Sequence, residues 1–387
     1  MSATLRLPYG DGGLRPYTTG EPREFARPSG EPRSRVVYAA AHVVADPLAD
    51  NTPGAPAVLD WDATLAFRRH LWSYGLRVAE AMDTAQRGMG LDWAATRELI
   101  ERGAAEAAAC GGGIACGVGT DQLAPGTGTL DDVIAAYEEQ LAVVEAAGAD
   151  VILMASRRLA AVARGPEDYA EVYGRLLGQV SRPVILHWLG PMFDPALDGY
   201  WGSGDLDEAT GHVVALIGEH AGKIAGIKVS LLDAGREIAL RRRLPAGVKL
   251  FTGDDFNYPE LIRGDERGHS DALLGVFDPI APAAAAALAA LDAGDISAYD
   301  AIFEPTLPLA RKVFEAPTFN YKTGVVFLAW LAGHQDHFRM VSGLESARSL
   351  PHLAELFRLA DAAGLLPDPD LAAARMRALL AVAGVSA

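Results

Sequence analysis

A repeated change of hydrophobic texture constrains this chain more than anything else in it. Eight short, continuously apolar runs alternate with longer stretches that carry apolar residues at helical spacing. The runs cover residues 36–41, 76–82, 113–118, 151–154, 183–188, 223–229, 248–252 and 272–277. Unbroken apolar runs of this length suit strands covered on both faces, as in a parallel sheet. Eight β-then-α units predict a (β/α)8 TIM barrel, at the usual size of ~250 residues. A doubly wound open sheet would need a switch point and a Gly-x-Gly-x-x-Gly turn after the first strand. None stands there, and Gly117-Val118-Gly119-Thr120 is too short and follows the third run.

The flanks read differently. Residues 1–35 are rich in Pro, Gly and Arg without an apolar period, which predicts an irregular N-terminal arm. The barrel is expected over 36–295. Beyond the eighth run the pattern is helical only, with helices expected at 281–291, 296–314, 322–331, 350–363 and 369–382. Residues 296–387 therefore form a helical C-terminal extension. Asp60, Asp92, Asp295 and Asp368 stand where helix N-caps belong.

Composition narrows the partners. Half of the residues are hydrophobic, enough for a large core. The net charge of −16 argues against nucleic acid or an anionic membrane surface, both of which reward basic faces. Two cysteines, Cys110 and Cys116, make no disulfide framework and suit a reducing compartment. The start of the chain lacks the apolar core of a signal peptide. No apolar run approaches the roughly 18 residues of a membrane span. A cytoplasmic location is the expectation.

In such barrels the site is built where the strands end. The sixth run places Lys228 there, inside Ala225-Gly226-Ile227-Lys228-Val229-Ser230. A desolvated ammonium loses its proton more readily, and a neutral amine can form a Schiff base with a carbonyl. The plainer alternative is a lysine snorkelling from a strand end into water. Around Lys228 the other strand ends offer His187, Asp83, Thr84, Thr120 and Arg157, and Asp254 and Asp255 of Thr252-Gly253-Asp254-Asp255. An Asp in that last segment is as readily a helix cap as a site residue.

Read together, these segments resemble the dihydrodipicolinate synthase / N-acetylneuraminate lyase family of class I aldolases, from about Val36 to Leu331. Ile224-Ala225-Gly226-Ile227-Lys228 is similar to the family's strand-6 motif, whose lysine forms the Schiff base. Leu250-Phe251-Thr252-Gly253-Asp254-Asp255 is similar to its strand-7 segment, and Ala115-Cys116-Gly117-Val118-Gly119-Thr120-Asp121 to its strand-3 turn. Pro183 to Pro191 resembles the strand-5 segment that ends in a catalytic tyrosine, but here that position is His187. Imidazole, with an ordinary pKa near 6.5, suits the same proton transfer. The family's strand-2 Thr-Thr-Gly-Glu carboxylate clamp falls on Thr84-Ala85-Gln86-Arg87, without its glycine. Ser156-Arg157-Arg158 replaces the synthases' strand-4 tyrosines, so the chain resembles a divergent subgroup rather than the synthases proper.

The resemblance implies a lyase or aldolase acting on a small oxo acid or sugar-derived carbonyl compound. Lys228 and His187 would be catalytic, and Asp83, Thr84, Gly117, Thr120, Arg157 and Asp254 would bind substrate, with Arg87 or Arg158 as further anion holders. Such chemistry requires no metal and no organic cofactor. A homo-oligomer, dimer or tetramer, is expected from the family and the Ala-rich helices. One rival is a divalent-metal barrel isomerase or lyase using His42, Glu80, Asp83, His187 and Asp254 as mixed ligands. Another is a barrel that binds a metabolite without turning it over.

Overall fold

In the computed structural model, residues 3–123 and 128–386 are described; residues 1–2 of the expected arm and residue 387 of the expected extension lie outside them. Two strands, β1 (Thr4–Pro8) and β2 (Leu14–Thr18), form an antiparallel hairpin. The eight apolar runs follow as β3 (Val37–Ala40), β4 (Arg77–Glu80), β5 (Ile114–Val118), β6 (Asp150–Leu153), β7 (Val184–Leu189), β8 (Ile224–Ser230), β9 (Lys249–Thr252) and β10 (Asp271–Leu274). They close in the order β10-β3-β4-β5-β6-β7-β8-β9, each pair parallel. This is the (β/α)8 barrel that the alternation predicts.

Side chains alternate across each strand, so the barrel separates two apolar clusters. Tyr38, Ala79, Ala115, Ile152, Ile185, Phe251 and Leu273 pack together inside the ring. Val37, Val78, Leu153, Leu186, Ile227 and Leu274 join the larger outer core against the helices. Two residues beyond the inner layer, towards the carboxyl ends of the strands, stand His187 and Lys228. Several helices begin where an aspartate or hydroxyl satisfies their first N–H groups: Asp60, Asp92, Asp295 and Asp368 all cap as expected, and Thr129 with Asp132 forms a capping box.

The arm differs from the irregular segment expected. Its hairpin buries Leu5 and Leu7, and Tyr17 Oη donates to Asp361 at 2.7 Å. Arg358 donates back to the Pro8 carbonyl at 3.1 Å. The start of the chain is thus docked on the helix Leu350–Ala362 of the extension. Alternation in Thr4-Leu5-Arg6-Leu7, followed by Asp11-Gly12-Gly13, is the signal that marks it. The extension sends the helix Tyr321–Leu331 into the molecule with all 11 residues buried, its first turn at the barrel mouth. Among the described residues, no helix is long and apolar enough to cross a membrane.

Candidate active site

The parallel register sets His187 of β7 directly beside Lys228 of β8. His187 is fully buried and Lys228 is 7% exposed. Neither ring nitrogen of His187 has a hydrogen-bond partner, and Lys228 Nζ makes no hydrogen bond among the described residues. Burial holds the imidazole well below its ordinary pKa, and the neighbouring ammonium adds to the effect. Both causes favour the neutral ring, in which one nitrogen is an N–H donor and the other carries a lone pair. Burial also lowers the pKa of Lys228, opposed by the carboxylates of Asp83 and Asp255. The lysine stem runs past Gly253, where a Cβ would stand 2.8 Å from Lys228 Cε. A side chain at position 253 would block it.

Asp83 arrives on a strained turn. Ala81 and Gln86 both hold left-handed backbone, φ 53° and 66°, on either side of Asp83–Ala85. Left-handed backbone costs a non-glycine residue about 1–2 kcal/mol. Gln86 stands where the resembling motif has glycine, and keeps the glycine-like conformation. Its Nε2 donates to the carbonyls of Met89 at 3.2 Å and Val341 at 2.9 Å, and these bonds hold the turn. The missing glycine therefore does not abolish the turn. Among the described residues, Asp83 Oδ2 is buried without a partner.

A second lysine enters from the extension. Lys322, in the first turn of Tyr321–Leu331, is 2% exposed; among the described residues its ammonium donates one hydrogen bond, to the Phe319 carbonyl at 3.2 Å, and lies 4.6 Å from the centre of the Tyr321 ring. Burial lowers its pKa to about 8, offset by Asp83. Its neighbour Tyr321 shares a 2.8 Å hydrogen bond with Thr84, so Thr84 meets a phenol from the extension. Tyr321 stacks on Phe314 at 4.5 Å, and Phe193 abuts both rings edge-on. These aromatics roof the strand ends of β4 and β10. Gly275 admits them: a Cβ there would stand 3.0 Å from Phe314 Cζ and 3.3 Å from Tyr321 Cε2.

Beside the roof opens a cavity of ≈ 420 Å³ over β5 to β7, lined by Asp83, Thr120, Ser156, Arg157, Leu189 and Asp194 among others. Thr120 and Arg157 thus share one space with Asp83. Arg157 ion-pairs with Asp194, and Thr120 Oγ1 lies 2.6 Å from Ser156 Oγ. Gly117 plays a packing part instead: a Cβ would stand 2.6 Å from both the Ala81 carbonyl and Met154 Sδ. Arg87 is no free anion holder, since it is buried on Asp121, Gln140 and the carbonyls of Ala81 and Gly117. Asp254 accepts three hydrogen bonds from Phe256 and Asn257, which tie its own turn. The strand-7 carboxyl facing Lys228 is Asp255, whose Oδ1 accepts from Val276 N at 2.8 Å. Burial raises its pKa, opposed by that bond and by Lys228. Continued alternation from Phe251 through Gly253 selects Asp255 over Asp254.

A family model described as a protein of unknown function, DUF993, matches residues 5–385. The chain belongs to the DUF993 family. Comparison with curated proteins gives no match. Among solved structures, this DUF993 chain is similar to a prophage protein of the dihydrodipicolinic acid synthase family from E. coli K12, solved with pyruvate. The TM-score is 0.66 at 15% identity, over 86% of this chain and 99% of that one. It is also similar to dihydrodipicolinate synthase from Aquifex aeolicus, with a TM-score of 0.60 at 14% identity over 91% and 98% of the two chains. The synthase from Thermotoga maritima gives 0.62 at 14%, over 86% and 99%. The fold of the DUF993 chain is the fold of these structures.

The ring of mixed metal ligands does not assemble in the DUF993 chain. Glu80 points outward into a fully buried ion pair with Arg68. His42 is held between Asp278, 2.8 Å from Nδ1, and Gln335, 3.2 Å from Nε2. Among the described residues, no three His, Cys, Asp or Glu side chains stand close enough together to hold a metal ion.

Proposed function

We propose that this protein is a Schiff-base-forming lyase or aldolase, similar to dihydrodipicolinate synthase, acting on a small carbonyl compound through Lys228. The observation that carries this reading is a desolvated amine with no hydrogen bond, in register with a neutral, unpartnered imidazole at the carboxyl ends of the strands. Lys228 Nζ adds to the carbonyl carbon, and the carbinolamine loses its oxygen as water to leave an imine. Protonated, that imine draws electrons from the adjacent carbon. A neighbouring C–C bond then breaks, or a proton leaves to His187 and gives an enamine that adds to an aldehyde. Asp83 and Asp255 supply negative charge beside the cationic imine. Thr120 and Arg157 would hold the rest of the substrate in the cavity over β5 to β7. As part of the same reading the protein is a cytoplasmic homo-oligomer, dimer or tetramer, whose stoichiometry light scattering measures.

Borohydride trapping tests the chemistry. Incubation with oxo acids and aldehydes, reduction, and peptide mass mapping should label Lys228, and Lys228→Met should abolish the label. A wild-type chain that binds these compounds without ever forming the reduced adduct would be a metabolite-binding barrel, and the lyase reading would fall.

A further inference from the structure

The cavity over β5 to β7 has an inner end and an outer one. Asp83, 9% exposed, stands at the inner end, and Arg157, with its side chain 41% exposed, at the outer. Met154 and Leu189 line the space between them. Leu189 lies two residues beyond His187 on β7, so the two side chains share a face of the strand. Met154 belongs to the cluster inside the ring. The cavity floor thus continues from the strand ends that carry the imidazole.

Much of the polar wall is already occupied. Arg87 gives all five of its donors, to Asp121, Gln140 and the carbonyls of Ala81 and Gly117. Two positions stay open among the described residues. One is Asp83 Oδ2. The other is the end of the Arg157 guanidinium: Nε donates to Asp194, and neither Nη group makes a hydrogen bond. That end is nevertheless held in place. Asp194 is itself tied, accepting from Ala196 N at 3.1 Å. The guanidinium also rests on Gly88, where a Cβ would collide with both Nη atoms and stand 2.6 Å from Cζ. Gly88 lines the cavity too, so the open edge of Arg157 lies at its wall, and Arg158 adds a second positive charge there. An oriented guanidinium with a free edge suits two oxygens of a carboxylate or a phosphate.

Resting on the reading of Lys228 as the nucleophile, we infer that the substrate is a hydroxylated carbonyl compound whose far end bears a carboxylate or a phosphate. Arg157 takes two oxygens of that anion at the outer end. A substrate hydroxyl donates to Asp83 Oδ2 at the inner end, and the chain between them lies on Met154 and Leu189. The open carboxyl oxygen can take a donor but not another acceptor, so the hydroxyl points inward and the anion outward. A neutral polyol would leave the arginine edge unfilled, and a plain alkyl chain would leave Asp83 without its partner. Ser156-Arg157-Arg158 stands where the resembling synthases have tyrosines, so this wall is the chain's own.

Calorimetry on the full chain with unreactive probes tests the cavity apart from the Schiff base. 4-Hydroxybutanoate and glycerol 3-phosphate carry hydroxyl and anion together. Butane-1,4-diol and glycerol carry hydroxyls alone, and butanoate carries the carboxylate alone. Hydrogen bonds to a charged group correspond to a change on the order of tenfold in affinity. At low ionic strength each hydroxylated anion should exceed its neutral counterpart by about that factor. Arg157→Met should remove the preference, and Gly88→Ala, which displaces the guanidinium and keeps its charge, should remove most of it. Asp83→Ala should instead erase the advantage of 4-hydroxybutanoate over butanoate. Far-UV circular dichroism and a melt check that each variant is folded. Tighter binding of either anion supports the inference and identifies the head group. Neutral probes that bind as well as the anions overturn it, as does an anion preference that survives Arg157→Met, a hydroxyl advantage that survives Asp83→Ala, or a wild type that takes neither anion. The link to the lysine is read separately, by borohydride trapping with 4-oxopentanoate and its methyl ester. Labelling of Lys228 that favours the free acid in the wild type, and not in Arg157→Met, supports the link, and equal labelling overturns it. If neither compound ever labels Lys228, the lyase reading fails by itself, and calorimetry still decides what the cavity holds.

Discussion

Gly253 offers the sharpest test of how the lysine is placed. In Gly253→Ala the new Cβ would stand 2.8 Å from both Lys228 Cε and the Val229 carbonyl, and would also strike Ser230 Oγ. The serine can rotate away. The carbonyl belongs to the β8 ladder and cannot, so the flexible lysine stem must give way. Restoring an ordinary contact of roughly 3.5–4.0 Å moves Cε by about 0.7–1.2 Å. A misplacement near 1 Å costs a reacting group on the order of 10²-fold in rate. Overpacking of this kind destabilises by about 1–3 kcal/mol. The assay is the rate of borohydride trapping at one pyruvate concentration, with urea denaturation alongside. Gly275→Ala serves as the contrast, because its Cβ meets Phe314 and Tyr321 rather than Lys228. It should lose comparable stability with a smaller effect on trapping. Wild-type trapping and an unmoved urea midpoint in Gly253→Ala would refute the idea that this glycine clears the path of the stem.

Three further outcomes concern buried polar groups around the barrel. Glu237 is buried and its pKa is pushed up to about 8, from an ordinary 4.5, so the folded chain keeps a proton that the unfolded chain releases. Stability should therefore fall as pH rises between about 4.5 and 8, by on the order of 1 kcal/mol per pH unit from this group; Glu237→Gln should flatten that slope, and parallel urea curves from pH 5 to 8.5 would contradict it. Arg68→Met leaves Glu80 buried without its partner and should cost about 3–5 kcal/mol by chemical denaturation; a loss under 1 kcal/mol counts against the pair. Tyr321→Phe keeps the stack on Phe314 and removes the bond to Thr84, so the same measurement should give a loss of about 1 kcal/mol, and a much larger loss would mean the hydroxyl does more than join the roof to the β4 turn.

Much of the architecture was legible because barrel strands are apolar on both faces, which leaves eight unmistakable runs. Lys228 and His187 were legible for the complementary reason: polar side chains at the ends of such runs stand out. Residues fixed by distant packing were not. The helix Tyr321–Leu331 reads as one more buried helix, and nothing local shows that its first turn enters the mouth with Tyr321 and Lys322. The choice between Asp254 and Asp255 needed the alternation carried beyond the strand end. Gln86 shows the opposite case, where the residue standing in place of a glycine keeps left-handed backbone and ties its turn with two side-chain bonds of its own.

The helix that delivers Tyr321 and Lys322 also orders events on the ribosome. Lys228 leaves the exit tunnel well before those residues, and at about 5–20 residues per second the interval is roughly 5–20 s. During that time every strand of the ring can be present while its roof is still missing. The mouth of the ring therefore closes only once Tyr321–Leu331 is made, well after the strand that carries Lys228.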